Sequence, residues 1–145
     1  MSLNISLPIP PSSNSIYRRR GRQPGMFLSP EAKKYRRVCS QLLLSTALKQ
    51  IQSLDPSRVY RLELEFFLKA VVNKGWPATA KSRYKRIDLS NRIKLLEDVI
   101  KDATQIDDCQ HFELLVSKRQ ANVPGEERVE VRLTPLEEDT WLEQP

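Results

Sequence analysis

Four glycines, two cysteines and one histidine are all that 145 residues offer of the residue types most used to cradle phosphates, bind zinc or relay protons. So little glycine, with no glycine-rich fingerprint after a strand, argues against a nucleotide-hydrolysing P-loop or a dinucleotide fold. Cys39 lies in a helical pattern and Cys109 follows two aspartates, so neither has the company of a zinc site, and both are expected as reduced thiols. His111 alone makes neither a histidine-rich metal site nor a convincing catalytic triad. No run approaches the roughly 18 apolar residues of a membrane span, and Met1-Ser2-Leu3-Asn4-Ile5 shows no basic leader ahead of an apolar block. The expectation is a cytoplasmic protein in which carboxylates carry any chemistry.

What the chain does have is charge, unevenly placed. Residues 1–86 hold 17 Lys/Arg against 4 Asp/Glu, whereas residues 87–145 hold 7 against 14, and the net +6 conceals that contrast. A basic half attracts a polyanion through phosphate contacts and counterion release, and an acidic half holds divalent cations or keeps the molecule in solution. Nucleic acid is the expected partner; the alternatives are a mixed surface or an acidic protein partner. With 39% hydrophobic residues the chain suits one globular domain.

Leu3, Ile5, Leu7 and Ile9 alternate as in a half-buried strand that Pro8-Ile9-Pro10-Pro11 brings to an end. Ser12 to Phe27 reads as a mobile basic loop carrying Arg18, Arg19, Arg20 and Arg22. Ser29-Pro30-Glu31 opens a helix, and an apolar stripe through Ala32, Tyr35, Val38/Cys39, Leu42, Thr46 and Leu48/Ile51 carries it to about Gln52. Lys33, Lys34, Arg36 and Arg37 on its other side suit either a solvated flank or a phosphate-contacting edge. Tyr60 to Leu68 alternates as a strand, and Val71 to Tyr84 follows as a second basic loop. Trp76 within it fits either base stacking or a cap over a small apolar cluster. A second helix runs from Asn91 to about Thr104 with Ser90 placed to cap it, and Lys94 and Asp98 share one face. Two strands follow, through Phe112, Leu114 and Val116 and through Val129, Val131 and Leu133, with Pro124-Gly125 as the turn of a hairpin. Acidic residues from Glu137 to Glu143, with Trp141, form a tail that folds back on the sheet or is exchanged with a partner subunit. The elements predict an α/β (α+β) fold of two layers, a mixed or antiparallel sheet packed by two main helices.

Asp88 stands before the second helix, and Asp107 and Asp108 beyond it. A straight helix of about 12 residues rises about 18 Å, so their convergence requires a flanking segment to fold back. If they converge they suit magnesium, which prefers oxygen ligands and retains waters; otherwise Asp107-Asp108 is an ordinary turn before a strand.

The wording here is distinctive: Arg86-Ile87-Asp88-Leu89-Ser90-Asn91-Arg92-Ile93-Lys94, then Asp98, then Ile106-Asp107-Asp108-Cys109-Gln110. It resembles the RusA-type Holliday junction resolvases, which carry an Asp-Leu-Asp-Asn stretch, a lysine three residues after the asparagine, an aspartate four further on, and an Asp-Asp pair before a strand. Leu7-Pro8-Ile9-Pro10-Pro11-Ser12-Ser13-Asn14 with Tyr17, and Ser29-Pro30-Glu31 leading to Tyr35-Arg36, are similar to the family's opening. The likeness spans about residues 3–133, so residues 1–135 are expected as one RusA-like nuclease domain and 136–145 as an acidic tail. Three departures stand out: Ser90 replaces the motif's second aspartate, Ile87 stands where a basic residue is common, and the connector into Asp107-Asp108 is about one residue short.

The resemblance implies a homodimer that binds four-way DNA junctions and cuts them in recombination and repair, using Mg²⁺ with Mn²⁺ as a substitute. It implies Asp88, Lys94 and Asp108 as catalytic residues, with Asp88, Asp107 and Asp108 at the metal. Arg18, Arg19, Arg20, Arg22, Lys85 and Arg86 would position the DNA backbone. The alternative is a branched-DNA-binding protein of the same fold whose cutting is weakened or lost through Ser90, since a neutral hydroxyl does not replace a carboxylate's charge at magnesium.

Overall fold

The computed structural model describes residues 1–145 except Arg20, Gln23, Pro24, Glu138 and Gln144. In chain order the elements are β1 (Leu3–Leu7), a short α1 (Ser13–Ile16), β2 (Tyr17–Arg18), β3 (Phe27–Leu28), α2 (Pro30–Thr46), α3 (Leu48–Gln52), β4 (Tyr60–Leu68), α4 (Ser90–Thr104), a 3-10 turn (Asp108–Gln110), β5 (His111–Gln120) and β6 (Arg128–Pro135). The main sheet has the order β1-β6-β4-β5. β6 runs antiparallel to both β1 and β4, and β5 runs parallel to β4. The fold is therefore α+β, two layers, with the helices on one face of a mixed sheet.

Strand β4 makes the layer legible. Tyr60, Leu62, Leu64, Phe66 and Leu68 are buried while the residues between them are only half-buried, as expected when one sheet face meets a core and the other meets water. From the helical layer Ala32, Tyr35, Cys39 and Leu43 of α2 and Leu95, Leu96, Val99 and Ile100 of α4 close on that face. Arg36 of α2 forks onto Asp102 of α4 at 2.7–3.0 Å, tying the helices at their outer edge. Arg36 thus serves interhelical packing, and the flank proposed for phosphate keeps only Lys33, Lys34 and Arg37 exposed.

Four expectations change. The basic loop after residue 12 is partly ordered, because α1 and the β2–β3 ribbon occupy it. The first long helix breaks at Ala47 (φ −127°, ψ 16°), which turns the buried stripe onto Leu43 and Ala47 and leaves Leu48 exposed. Ser90 is the first helical residue of α4 and not its cap; the bonds it makes run back to Asp88. The last two strands do not form a hairpin: β4 lies between them, and Pro124-Gly125 belongs to a connection across its end, where Ala121 N–H reaches the Leu68 carbonyl at 2.8 Å.

The two halves of the charge pattern interleave once folded. On the open sheet face Arg61 pairs with Glu113, Arg119 with Glu65 (2.5 Å), Arg132 with Glu63 (3.6 Å) and Arg128 with Glu130 (2.7 Å). Such exposed pairs contribute about 0–1 kcal/mol each, so their main effect is to neutralise that face. Among the described residues no ion pair engages Lys74, Lys81, Lys85 or Arg86, so the 71–86 loop keeps its positive charge unpaired. Also among the described residues, no helix is long and apolar enough to cross a membrane. The tail returns to the sheet: Leu136 N–H bonds the Val59 carbonyl at 3.0 Å, and Trp141 meets Phe112 edge-on at 5.6 Å.

Candidate nucleic-acid interface

The amino-terminal proline segment and the start of α4 are far apart in sequence and are joined here by three hydrogen bonds, with a fourth holding the segment to α2. Tyr35 donates its buried hydroxyl to the Pro8 carbonyl at 2.7 Å. The Arg92 guanidinium donates to the Pro11 carbonyl at 3.0 Å, and Asn91 donates its amide to the Ser13 carbonyl at 3.0 Å. Ser13 returns a bond from its hydroxyl to the Asp88 carbonyl at 2.6 Å. Prolines remove donors from this stretch, so its carbonyls have no strand ladder to join, and side chains from α2 and α4 satisfy them instead. A small cleft of about 220 Å³ results, lined by Ser12, Ser13, Asn14, Arg86, Ile87, Asp88 and Arg92.

Asp88 is exposed at this cleft. Its Oδ1 accepts from Ser90 N–H at 2.9 Å and from the Ser90 hydroxyl at 2.8 Å. Those two bonds, and to a lesser extent the nearby Arg92 charge, hold its carboxyl below the usual range against the opposing effect of burial. Asp88 is thus an anion, with Oδ2 available to a ligand. Burial draws the half-buried Arg92 below the usual arginine range, with Asp88 opposing that shift.

Beyond Asp88 the cations are distributed around the cleft. Lys94, one turn into α4, lies over the Tyr17 ring at 5.6 Å and so links α4 to the β2–β3 ribbon. On that ribbon Arg18 is engaged by Glu31 at 3.2 Å, while Arg19 and Arg22 are exposed. Arg20 lies outside the described residues. Lys85 and Arg86 are exposed on the approach to Asp88, and Lys118 from β5 reaches the Ile87 carbonyl at 3.4 Å.

The other acids gather elsewhere. Asp107 caps the 3-10 turn reciprocally with Gln110 and pairs with Lys101 at 2.7 Å. Lys101, then hydrogen bonding from Asp108, lower its carboxyl to about 2. Asp98 is raised by partial burial, opposed by Arg36 and Lys94, and it feels the charges of Asp102 and Asp108. The Asp107-Asp108 turn therefore folds back along α4 to the level of Lys101 and Asp98. From Ser90 to Asp98 the helix rises about 12 Å. Among the described residues no three His, Cys, Asp or Glu side chains are grouped to hold a metal ion.

Sequence reasoning missed Arg92, Ser13 and Asn14 as cleft residues. The signal was present in that Ser13-Asn14 and Asn91-Arg92 both fall within the quoted motifs, but nothing local indicates that the two motifs meet.

The family model described as Endodeoxyribonuclease RusA matches residues 8–134, from the first proline of the amino-terminal segment to the end of β6. A protein of Enterobacteria phage HK97, Crossover junction endodeoxyribonuclease rusA, is 30% identical over 131 residues, covering 90% of this chain and 92% of the phage protein. With the family model matched along most of the chain, and a relative 30% identical over nine-tenths of it, the chain belongs to the RusA endodeoxyribonuclease family.

Proposed function

We propose that this protein is a Mg²⁺-dependent endodeoxyribonuclease that cuts four-way DNA junctions as a homodimer, in recombination and repair. The observation that carries the reading is the cleft itself. Two motif segments separated by most of the first half of the chain are hydrogen-bonded together so that an ionised Asp88 faces outward between Arg86 and Arg92. A carboxylate held anionic among cations suits a divalent ion brought in with a phosphodiester, since the cations position the DNA backbone while the acid binds the metal. Arg19, Arg22, Lys85 and Arg86 are proposed as the backbone contacts, together with Arg18 once it leaves Glu31, and Lys94 as the charge that faces the transferred phosphate.

Asp88 and Asp108 are the proposed metal ligands, contributed to one site by two copies of the chain, with Asp107 orienting its neighbour through the Lys101 pair. Magnesium, when bound, would supply an activated water and neutralise phosphate charge. Two features support a second copy. The Asp107-Asp108 turn pairs with Lys101, well along α4 from its Asp88 end, and β5 is an edge strand whose Phe112, Leu114 and Leu115 remain about half exposed. A two-fold dimer also presents two equivalent sites to a two-fold junction.

The second reading is a branched-DNA-binding protein without cutting activity, favoured by Ser90, which offers a hydroxyl where the family motif has a carboxylate. Strand cutting of a labelled four-way junction across a magnesium titration, with binding measured separately, decides between them. Cutting that Asp88→Asn abolishes supports the nuclease; tight junction binding with no cutting by the parent chain at any Mg²⁺ or Mn²⁺ concentration establishes the alternative.

A further inference from the structure

The loop between β4 and α4 is long, residues 69–89, and it is built rather than loose. Val72 and Tyr84 form an antiparallel bridge, Asn73 N–H bonds the Arg83 carbonyl at 2.8 Å, and Lys85 N–H bonds the Val71 carbonyl at 2.9 Å. The Asn73 side-chain amide adds bonds to the Ser82 and Tyr84 carbonyls at 2.9 and 3.3 Å. This hairpin presents two aromatic rings outward: Trp76 is 46% exposed and Tyr84 60%. Arg83 lies over both, its guanidinium carbon 5.8 Å from the Trp76 centroid and 5.5 Å from that of Tyr84. Trp76 therefore does not cap an apolar cluster. It stands beside a shared cation in a surround of exposed Lys74, Lys81, Lys85 and Arg86.

Exposing a tryptophan and a tyrosine together on a basic hairpin is costly in apolar surface unless a ligand covers them. The occupant has to be planar and aromatic to use the ring faces, and attached to negative charge to suit the cations; an unstacked nucleobase on its phosphate backbone has both properties. A bare polyanion would satisfy the lysines and leave the rings idle. We infer that Trp76, Arg83 and Tyr84 form a stacking site for an unpaired base of the DNA strand that enters the Asp88 cleft. The inference rests on the nucleic-acid reading above and adds a ligand to it. Tyr84 and Asp88 are four residues apart, at most about 14 Å of extended chain. That distance corresponds to about four nucleotides at 3.4 Å per step. The stacked base thus lies within a few nucleotides of the phosphate facing Asp88, where a branch point would present bases out of the helix.

The test uses the full chain with Trp141→Phe, which leaves Trp76 as the one tryptophan of the two. Its emission is followed during titration with a single-stranded oligothymidine, an abasic sugar-phosphate strand of equal length, and heparin. Quenching by the thymidine strand alone is expected at saturation. Adding Trp76→Ala should weaken thymidine-strand binding about tenfold to a hundredfold, the usual worth of one stacked base, while binding of the abasic strand and of heparin stays within twofold. Trp76→Phe should recover most of the loss, which separates stacking from any damage to the hairpin. Emission that is unchanged while the thymidine strand is bound, or equal weakening of all three ligands by Trp76→Ala, would overturn the stacking site and leave the basic cleft standing. Failure of all three ligands to bind the parent protein would remove the nucleic-acid reading and the stacking site together.

Discussion

Mixing two inactive chains, one carrying Asp88→Asn and the other Asp108→Asn, separates a metal site built within one chain from one built between two copies. The turn holding Asp108 folds back only to the level of Asp98 and Lys101, and the helix rises about 12 Å between that level and Ser90. Two carboxylates on one magnesium each sit about 2 Å from the ion, so a shared site brings their oxygens within about 4 Å of each other. If each site takes Asp88 from one protomer and Asp108 from the other, each homodimer of either variant has two broken sites. A mixed dimer has one doubly broken and one intact site. Random pairing makes half of the dimers mixed, and about one quarter of all sites then recover. The assay is nicking of an end-labelled four-way junction after co-refolding, read on denaturing gels and normalised to the parent protein. Single incisions should replace paired ones, because a mixed dimer holds one working site. No recovered cutting, with mixed dimers verified by mass spectrometry and the parent active, would refute the shared site and return both ligands to one chain.

Ser90→Asp removes the hydroxyl bond to Asp88 but keeps the Ser90 backbone N–H bond, so α4 should persist by circular dichroism while the added charge lowers the magnesium concentration at half-maximal cutting; an unchanged midpoint means that residue 90 does not face the ion. Tyr35→Phe leaves the Pro8 carbonyl without its donor in a part-buried setting and should cost about 1–3 kcal/mol in urea unfolding, with a larger loss of cutting than of junction affinity. The Asp107 carboxyl should titrate near 2 by NMR, and Lys101→Ala should bring it back toward 3.8. Because its folded pKa is the lower one, the Asp107 contribution to stability is present above about pH 3.8 and is lost as the pH falls toward 2. Leu96→Ala, at a fully buried position on α4, should cost about 2–5 kcal/mol without changing the salt dependence of DNA binding in the folded fraction.

What could be read from residues alone followed the reach of local physics. β4 was legible because one sheet face is dry and the other wet, and a period of two records that directly. α4 was legible because Leu96, Val99 and Ile100 recur at helical spacing on a single buried face. The placement of β5 was not: a turn signal such as Pro124-Gly125 says that the chain reverses, and carries no information about β4 entering between the strands that flank it. The break at Ala47 has neither glycine nor proline to announce it. At the site, Asp88 and Ser90 are both good cap formers two residues apart, so spacing alone could not decide which of them accepts and which donates. Asp88, Lys94, Asp107 and Asp108 were picked out by motif, whereas Arg92 was overlooked because its partner, the Pro11 carbonyl, is supplied from the other end of the domain.

The position of β6 governs the order in which a growing chain can acquire this architecture. β6 follows the other described strands in the chain, yet among the described residues it is the one strand that pairs with β1 and one of the two that pair with β4. Until residues 128–135 have left the ribosome, β1 has no ladder to join and β4 keeps one hydrogen-bonding edge open. The basic 71–86 hairpin and the arginines from Arg18 to Arg22 emerge long before that, so a nascent chain carries its positive surface in the presence of cellular polyanions before its sheet exists. Arrest of translation before β6 should therefore yield a protease-sensitive intermediate that sediments with nucleic acid in a salt-reversible manner, and release of the remaining residues should convert it to the resistant form.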